Sequence, residues 1–244
     1  AEGCDNNCTY CAIPLIRGGY RSRKMEDILA EAEKLAQWGV KELMVIAQDT
    51  TRYGEDLYGE GKLPQLLTEL CKVERLRWIR VLYCYPERIT DELLEVMAKE
   101  DKILKYMDLP LQHCSRQVLK AMNRHGDRES LSALIRKIRE KVPGIVLRTT
   151  FMVGFPGETE EAFEELAEFA KEMRFERMGC FAYSQEEGTP AARLPDQISR
   201  EIKEHRQELM MEQQMALMDE MSREMVGKTI TVLNEGWDRY AECC

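Results

Sequence analysis

Short apolar runs recur along the chain about every 30 residues and predict β-strands. Each run is continuous rather than alternating, which is typical of strands covered on both faces. Five runs fit this description, at residues 42–47, 78–83, 105–111, 145–153 and 178–183.

Amphipathic patterns between these runs predict helices. One uses Ile28, Ala32, Leu35 and Ala36 before Gly39, and others fall at residues 131–142 and 163–173. Thr90 and Thr159 each precede two acidic residues and are expected to cap helices. Strands alternating with helices predict βαβ units and a parallel sheet. Gly3 and Cys4 are expected just past a sixth, earlier strand that the chain lacks or barely includes.

The C-terminal part has a different pattern. Residues 199–225 predict one long polar helix with six of the 14 methionines. These are expected to form a flexible packing face on the barrel or on a neighbouring domain: Met210, Met211, Met215, Met218, Met221 and Met225. Residues 228–233 then switch to a β-rich pattern.

Composition places the chain among ordinary globular proteins. Its 244 residues are 44% hydrophobic and 32% charged, with a mean hydropathy of -0.46. No apolar stretch approaches the ~18 residues of a membrane helix, so a cytoplasmic protein with no membrane partner is expected. The net charge of -9 opposes nonspecific nucleic-acid binding. One group of basic residues has two interpretations, a solvated face or a site that steers an acidic partner. It consists of Arg17, Arg21, Arg23 and Lys24.

Three of the nine cysteines form a cluster in a polar loop. Cys4, Cys8 and Cys11 have Cys-x3-Cys-x2-Cys spacing, which indicates one metal centre rather than packing. A structural zinc site requires four protein ligands, and no fourth Cys or His follows nearby. An iron-sulfur cluster used only for electron transfer also takes four thiolates, so three would leave one iron open. The scattered Cys84, Cys114 and Cys180 are expected to be small buried hydrophobes.

The loop resembles the signature of the radical S-adenosylmethionine (SAM) superfamily, including Tyr10 just before the third cysteine. The resemblance implies an open (β/α)6 partial TIM-type barrel. It also implies a 4Fe-4S cluster on Cys4, Cys8 and Cys11 whose open iron binds SAM. Cleavage of SAM would give methionine and a 5'-deoxyadenosyl radical.

Further segments narrow the resemblance to the methylthiotransferases of that superfamily. They lie at residues 16–23, 47–54, 85–89, 109–113, 149–159 and 183–190. The chain is most similar to the members that methylthiolate the β-carbon of an aspartate in a small-subunit ribosomal protein. Related tRNA adenosine methylthiotransferases typically carry Gly-Gln-Asn at positions 47–49, where this chain has Ala47, Gln48 and Asp49. Two alternatives stay open: a tRNA-modifying enzyme, and a non-enzymatic, metal-stabilised module that binds ribosomal components.

The resemblance implies a domain organisation. Residues 1–225 are expected to form the radical SAM core, and residues 226–244 the start of a truncated β-barrel (TRAM) domain reached through the long helix. An N-terminal methylthiotransferase domain, which would hold a second iron-sulfur cluster, is expected to be absent. Cys243 and Cys244 are assigned no site.

Residues at strand ends are the candidates for SAM binding, because ligands of parallel α/β barrels collect at the carboxyl ends of the strands. By family analogy Gln48, Gln112 and Arg148 contact polar groups of SAM, Gly154 approaches the adenine, and Tyr10 packs near it. His113 is expected to be structural, because abstraction of hydrogen by a carbon radical needs no general base.

The same analogy supplies the expected partners. They are a small-subunit ribosomal protein as substrate, and an electron donor such as flavodoxin or ferredoxin. A contact with ribosomal RNA through the TRAM domain is also expected.

Overall fold

A computed structural model describes residues 1–237, which contain a five-stranded parallel sheet in the order β1-β2-β3-β4-β5. The strands are β1 Glu42–Val45, β2 Trp78–Val81, β3 Ile103–Asp108, β4 Val146–Val153 and β5 Arg177–Ala182. Each strand pairs with the next one along the chain. The predicted parallel α/β architecture is therefore confirmed.

Helices connect the strands and cover one face of the sheet. They are α1 Ile13–Arg17, α2 Met25–Gln37, α3 Glu55–Tyr58, α4 Leu63–Cys71, α5 Asp91–Lys99, α6 Arg116–Ala121, α7 Arg128–Lys141, α8 Glu160–Met173 and α9 Arg200–Met225. The predicted caps are confirmed, because the hydroxyls of Thr90 and Thr159 accept the N–H groups of Leu93 and Ala162, both at 3.2 Å. No helix in this part of the chain is long and apolar enough to cross a membrane.

The core lies between the sheet and these helices. Phe151 of β4 contacts the rings of Phe169 and Phe175 edge-on, with centroids 6.2 and 5.8 Å apart. All three rings are fully buried. Edge-to-face packing of this kind adds to the hydrophobic stabilisation and fixes α8 against β4 and β5.

The other face of the sheet differs from the prediction. The continuous apolar runs predicted strands covered on both faces, yet β4 alternates between buried and partly exposed residues along its whole length. Met44 and Phe181 on the uncovered face are 56% and 57% exposed. The prediction was wrong because this face is concave and lines open cavities instead of packing beneath a second layer of helices.

The C-terminal helix packs through a narrow stripe. Its buried residues are Arg206, Met210 and Gln214, each four positions after the last. Of the six methionines, Met210 is in the core and Met211 packs against it, whereas Met215 is 63% exposed. Within residues 1–237, Met210 and Met211 are thus the two of the six that take part in core packing, and packing of the others on a neighbouring domain stays a prediction.

Residues 226–237 contain no strand, so the β-rich pattern at 228–233 did not predict local structure correctly. Val232 is 69% exposed, and β-branched residues form a strand only where a neighbouring strand can pair with them. The division at residue 226 into a second domain stays a prediction. Cys243, Cys244 and the rest of the segment from residue 238 lie outside the described residues.

Candidate functional site

The cysteine loop, residues 3–12, is held in place by backbone hydrogen bonds from three directions. The N–H of Cys4 donates to the carbonyl of Gly18 at 3.2 Å. The N–H of Thr9 donates to the carbonyl of Met122, just after α6, at 3.0 Å, and Ala191 donates to the carbonyl of Thr9 at 2.9 Å. The loop is therefore positioned by segments far apart in sequence.

A buried carboxylate anchors the same loop to the end of β1. Asp49 is fully buried and accepts hydrogen bonds from the Asn6 amide at 2.9 Å and the Thr51 hydroxyl at 2.5 Å. Gly3 has φ +74°, and a Cβ there would overlap the carbonyl of Gly19. Only glycine allows this close approach, so the start of the loop depends on it.

Cys4, Cys8 and Cys11 face one cavity of ≈ 670 Å³. All three are partly exposed free thiols. Burial, and to a smaller extent the neighbouring thiols, raises the pKa of Cys4, and burial likewise raises the pKa of Cys11. Metal ligands are thiolates, so binding a metal centre here must release protons.

Four of the five residues expected to contact SAM line this cavity with the cysteines: Tyr10, Gln48, Gln112 and Arg148. Gln112 has an unusual backbone with φ +70°. Its N–H donates to Thr150 and its carbonyl accepts from Met152, both at 2.8 Å, which holds this strained conformation. Among the described residues its buried amide oxygen has no hydrogen-bond partner, so a donor from a bound molecule would satisfy it.

Gly154 lies elsewhere. It is buried with φ +70°, and a Cβ there would overlap the side chain of Lys203 on α9. Its N–H donates to Glu158 at 2.8 Å. The structure gives this glycine a packing role, and it is not among the residues lining the cavity.

Sequence reasoning missed a buried cation in the site. Arg124 lines the cavity and is 7% exposed. Its guanidinium lies 4.0 Å from the centre of the Tyr85 ring and 3.5 Å from the Tyr10 hydroxyl. The Tyr85 hydroxyl in turn lies 3.8 Å from the Cys8 sulfur. Tyr85 lies in the segment 85–89, which resembles the methylthiotransferases. No sequence motif singles out Arg124, which follows the turn after α6.

The other candidate residues are buried in the protein or paired with neighbouring side chains. His113 is fully buried and accepts the N–H of Ser115 at 2.9 Å, with its other ring nitrogen 3.6 Å from Glu158. Cys84, Cys114 and Cys180 are buried as predicted, although Cys84 also lines the cavity.

In the basic group, Arg17 pairs with Glu2 at 3.4 Å and Arg23 pairs with Glu31 at 2.5 Å, and all four side chains are exposed. These pairs favour the solvated-face interpretation.

Within residues 1–237 no three His, Cys, Asp or Glu side chains converge closely enough to hold a single metal ion. A single zinc ion requires its ligands about 2.3 Å from one point. A 4Fe-4S cluster has a separate iron for each thiolate, so its ligands surround a larger volume.

Comparison with known proteins identifies the family. The family model for the radical SAM superfamily matches residues 1–170. Two relatives, from Alkaliphilus oremlandii (strain OhILAs) and Clostridioides difficile (strain 630), are named ribosomal protein uS12 methylthiotransferase RimO. They are 56% and 54% identical over 96% of this chain and 53% of their own length. The chain thus spans about half the length of these curated relatives.

The fold matches solved structures as well. Coproporphyrinogen III oxidase (HemN) from Escherichia coli, described as a radical SAM enzyme, aligns with a TM-score of 0.60 at 17% identity. The alignment covers 90% of this chain and 51% of that one. Because the family match includes the cysteine loop and the first four strands of the sheet, the chain belongs to the radical SAM superfamily.

Proposed function

We propose that this chain is the core of a radical SAM methylthiotransferase that acts on the β-carbon of an aspartate in a small-subunit ribosomal protein. One observation carries the proposal: three thiols, Gln112 and Arg148 face a single cavity at the carboxyl ends of the parallel strands. Ligands collect at this end of α/β barrels. The names of the two relatives support the substrate class.

The donor set fits a 4Fe-4S cluster held by Cys4, Cys8 and Cys11. The three thiols are free and share one cavity. When bound, such a cluster in its reduced state supplies the electron that splits SAM into methionine and a 5'-deoxyadenosyl radical.

Three of the other lining residues, Gln112, Gln48 and Tyr10, orient SAM. The unpartnered amide oxygen of Gln112 is suited to accept a hydrogen bond from the amino group of SAM. Gln48, which is exposed just after β1, and Tyr10 line the same cavity as the thiols. Burial raises the pKa of Tyr10, so its hydroxyl stays neutral. These side chains bind and shield the reactive groups rather than transfer protons.

A second cavity, of ≈ 690 Å³, contains Arg148, the group that we assign to an acidic substrate. It extends along the concave face of the sheet and shares Arg148 and Tyr83 with the first cavity. Arg148 is 38% exposed and donates to the buried Asp108 at 2.6 Å through one nitrogen. Within residues 1–237 its other N–H groups have no acceptor, and they can meet a carboxylate because a guanidinium has five donors in a fork. An aspartate entering here would reach the SAM cavity with its carboxylate on Arg148.

The other expected components complete the proposal. A flavodoxin or ferredoxin delivers the electron in the cytoplasm, a second SAM provides the methyl group, and a second iron-sulfur cluster handles the incoming sulfur. Contact with ribosomal RNA belongs to a TRAM domain beginning at residue 226.

Transfer of deuterium tests the substrate class without requiring sulfur insertion. The reconstituted chain is given SAM, reductant and a uS12 peptide whose aspartate carries deuterium on the β-carbon. Deuterium is expected in the released 5'-deoxyadenosine, measured by mass spectrometry. A matched peptide with asparagine in place of aspartate should transfer little, because it lacks the carboxylate.

The Arg148→Gln variant should lose transfer from the aspartate peptide, whereas Arg200→Gln on exposed α9 should keep it. Transfer from deuterated adenosine in tRNA, with none from the peptide, would contradict the proposed substrate and favour the tRNA-modifying alternative.

A further inference from the structure

Four cations line a cavity of ≈ 440 Å³ at one edge of the sheet: Lys41, Arg75, Arg77 and Lys102. Among the described residues that line it, Glu74 is the one acidic side chain. In the whole chain acidic residues outnumber basic ones, 44 to 35. This edge therefore reverses the charge balance of the protein.

The four cations do not pair with carboxylates of the described residues. Lys41, Arg75 and Arg77 are exposed, and within residues 1–237 none of the four lies in a salt bridge. The nearby Arg80, by contrast, pairs with Glu42 at 2.5 Å. Exposed cations are ordinary on a protein surface, because water solvates them. The arrangement of these cations is what indicates a binding site.

The sheet arranges three of the cations in a row. Lys41, Arg77 and Lys102 directly precede β1, β2 and β3. The Arg77 N–H donates to the Lys41 carbonyl at 2.8 Å, and the Ile79 N–H donates to the Lys102 carbonyl at 2.7 Å. Neighbouring strands lie about 4.8 Å apart, so the backbone positions of the cations recur at this spacing along the edge. Such a row fits a linear polyanion better than a single small anion.

RNA is the linear polyanion that the other lining residues favour. Every nucleotide carries a phosphate, and Arg and Lys side chains bind phosphate oxygens. The partly exposed Trp78 lines the same cavity, and aromatic rings stack on unpaired bases. Residues 231–233 line it as well, and they lie in the segment expected to begin the TRAM domain. An acidic protein would match the charge alone.

We propose that Lys41, Arg75, Arg77 and Lys102 bind the phosphate backbone of a single RNA strand. The inference goes beyond the proposed function, because binding needs neither the cluster nor SAM. Salt screens charges more than about 10 Å apart, so this local group attracts phosphates in spite of the net charge of -9. The row precedes the strands, whereas the cysteine cavity lies at their carboxyl ends. RNA held by the row therefore leaves the cysteine cavity open to a protein substrate.

The test is the fluorescence anisotropy of a fluorescein-labelled oligouridine of about 20 nucleotides, titrated with the reconstituted chain at several KCl concentrations. The triple variant Lys41→Gln/Arg75→Gln/Arg77→Gln should bind at least about tenfold more weakly at about 50 mM KCl. The slope of log K against log salt should become shallower by about two, because each phosphate contact on a single strand contributes about 0.7.

The matched control removes three positive charges elsewhere on the surface. Arg116→Gln/Arg136→Gln/Arg200→Gln changes arginines that are 79%, 69% and 84% exposed, and its affinity should stay within about threefold of the wild type. Equal losses in the two triple variants would show that overall charge binds the RNA, which would overturn the proposal. A wild-type chain that does not bind oligouridine at about 50 mM KCl would overturn it as well.

Poly-glutamate distinguishes RNA from an acidic protein partner. At an equal concentration of charge it should displace little of the labelled oligouridine. Displacement as complete as that by unlabelled oligouridine would overturn the assignment to RNA in favour of an acidic protein.

A single variant keeps the test decisive if the triple variant does not fold. Arg75 lies in an exposed turn, and Arg75→Gln alone should make the salt slope shallower by about 0.7. An unchanged slope would refute its contact with phosphate. Release of 5'-deoxyadenosine from the same reconstituted sample reports separately on the proposed function, so either can fail without the other.

Discussion

At the residue scale, the thiols in the cavity differ from Cys71 in what surrounds them. Cys71 ends α4, and burial raises its pKa to about 11. We predict that Cys8→Ala abolishes iron loading, which should be about four irons per wild-type chain, because no other thiol can take its place in the loop. Cys71→Ala should load normally. Iron analysis and visible absorption after anaerobic reconstitution measure both, and a colourless, zinc-loaded wild type would contradict the prediction.

The sequence was informative about individual residues wherever chemistry depends on close spacing. Cys4, Cys8 and Cys11 are seven residues apart from first to last, and the structure brings them to one cavity. Arg124 and Tyr85 could not be found in this way, because their relation to Cys8 exists only after α6 and the end of β2 come together. For Gly154 the structure adds a contact that the sequence could not show, since a Cβ there would meet the Lys203 side chain, and its approach to the adenine stays a prediction.

At the scale of single elements, α7 has a cap that depends on ionisation. The Asp127 carboxylate accepts a hydrogen bond from the Ser130 backbone N–H at 2.9 Å. The Asp127 backbone N–H in turn donates to the Ser130 hydroxyl oxygen at 2.9 Å. Hydrogen bonds from Ser130, and then from Arg116, lower the pKa of Asp127 below its ordinary value of 3.8. The stability it contributes is therefore complete above about pH 4 and is lost as the pH falls toward the folded-state pKa.

We predict that Asp127→Ala lowers the urea midpoint at pH 7, and that the difference from wild type shrinks as the pH falls below about 4. Asp101→Ala, in an exposed turn, serves as the control at each pH. If the difference in urea midpoint between Asp127→Ala and wild type stays constant down to about pH 2, ionisation of Asp127 does not contribute to stability.

The attachment of α9 depends on a buried ion pair. Arg206 is 7% exposed and donates to the fully buried carboxylate of Glu158 at 2.7 Å. We predict that Arg206→Met reduces the free energy of unfolding by about 3 kcal/mol, because it leaves a buried carboxylate without its counter-charge. Arg200→Met breaks only an exposed pair with Glu204 and should cost less than about 0.5 kcal/mol. Equal losses in denaturant titrations would contradict the role of the buried pair.

Whole elements were predictable where burial alone determines them. The five strands lie at the five apolar runs, because each supplies the side chains that the helices cover. The sequence could not show that the other face of the sheet stays open. The apolar residue types that line a ligand cavity are the same as those in a packed interface. Residues 228–233 have strand propensity without a partner strand, and propensity alone does not form a sheet.

At the scale of the whole molecule, two connected cavities divide the proposed chemistry. The thiols and Gln112 lie in one, the concave face of the sheet lines the other, and Arg148 borders both. Under the proposed function, a radical generated in the first cavity would lie next to a carbon entering through the second. Of the thiols in residues 1–237, only Cys84 lines the first cavity in addition to the three in the loop.

That inventory of thiols leads to the last prediction. The loop cysteines are all occupied if they hold a cluster, and burial raises the pKa of Cys84, which makes it a poor sulfur carrier. We therefore predict that the 244-residue chain, with SAM, sulfide and reductant, releases 5'-deoxyadenosine but adds no methylthio group to a uS12 peptide. The longer relative from Alkaliphilus oremlandii, under the same conditions, is the positive control. A methylthio mass increase made by this chain and lost in Cys84→Ala would show instead that Cys84 delivers the sulfur, and an increase that survives Cys84→Ala would show that sulfur reaches the substrate without Cys84.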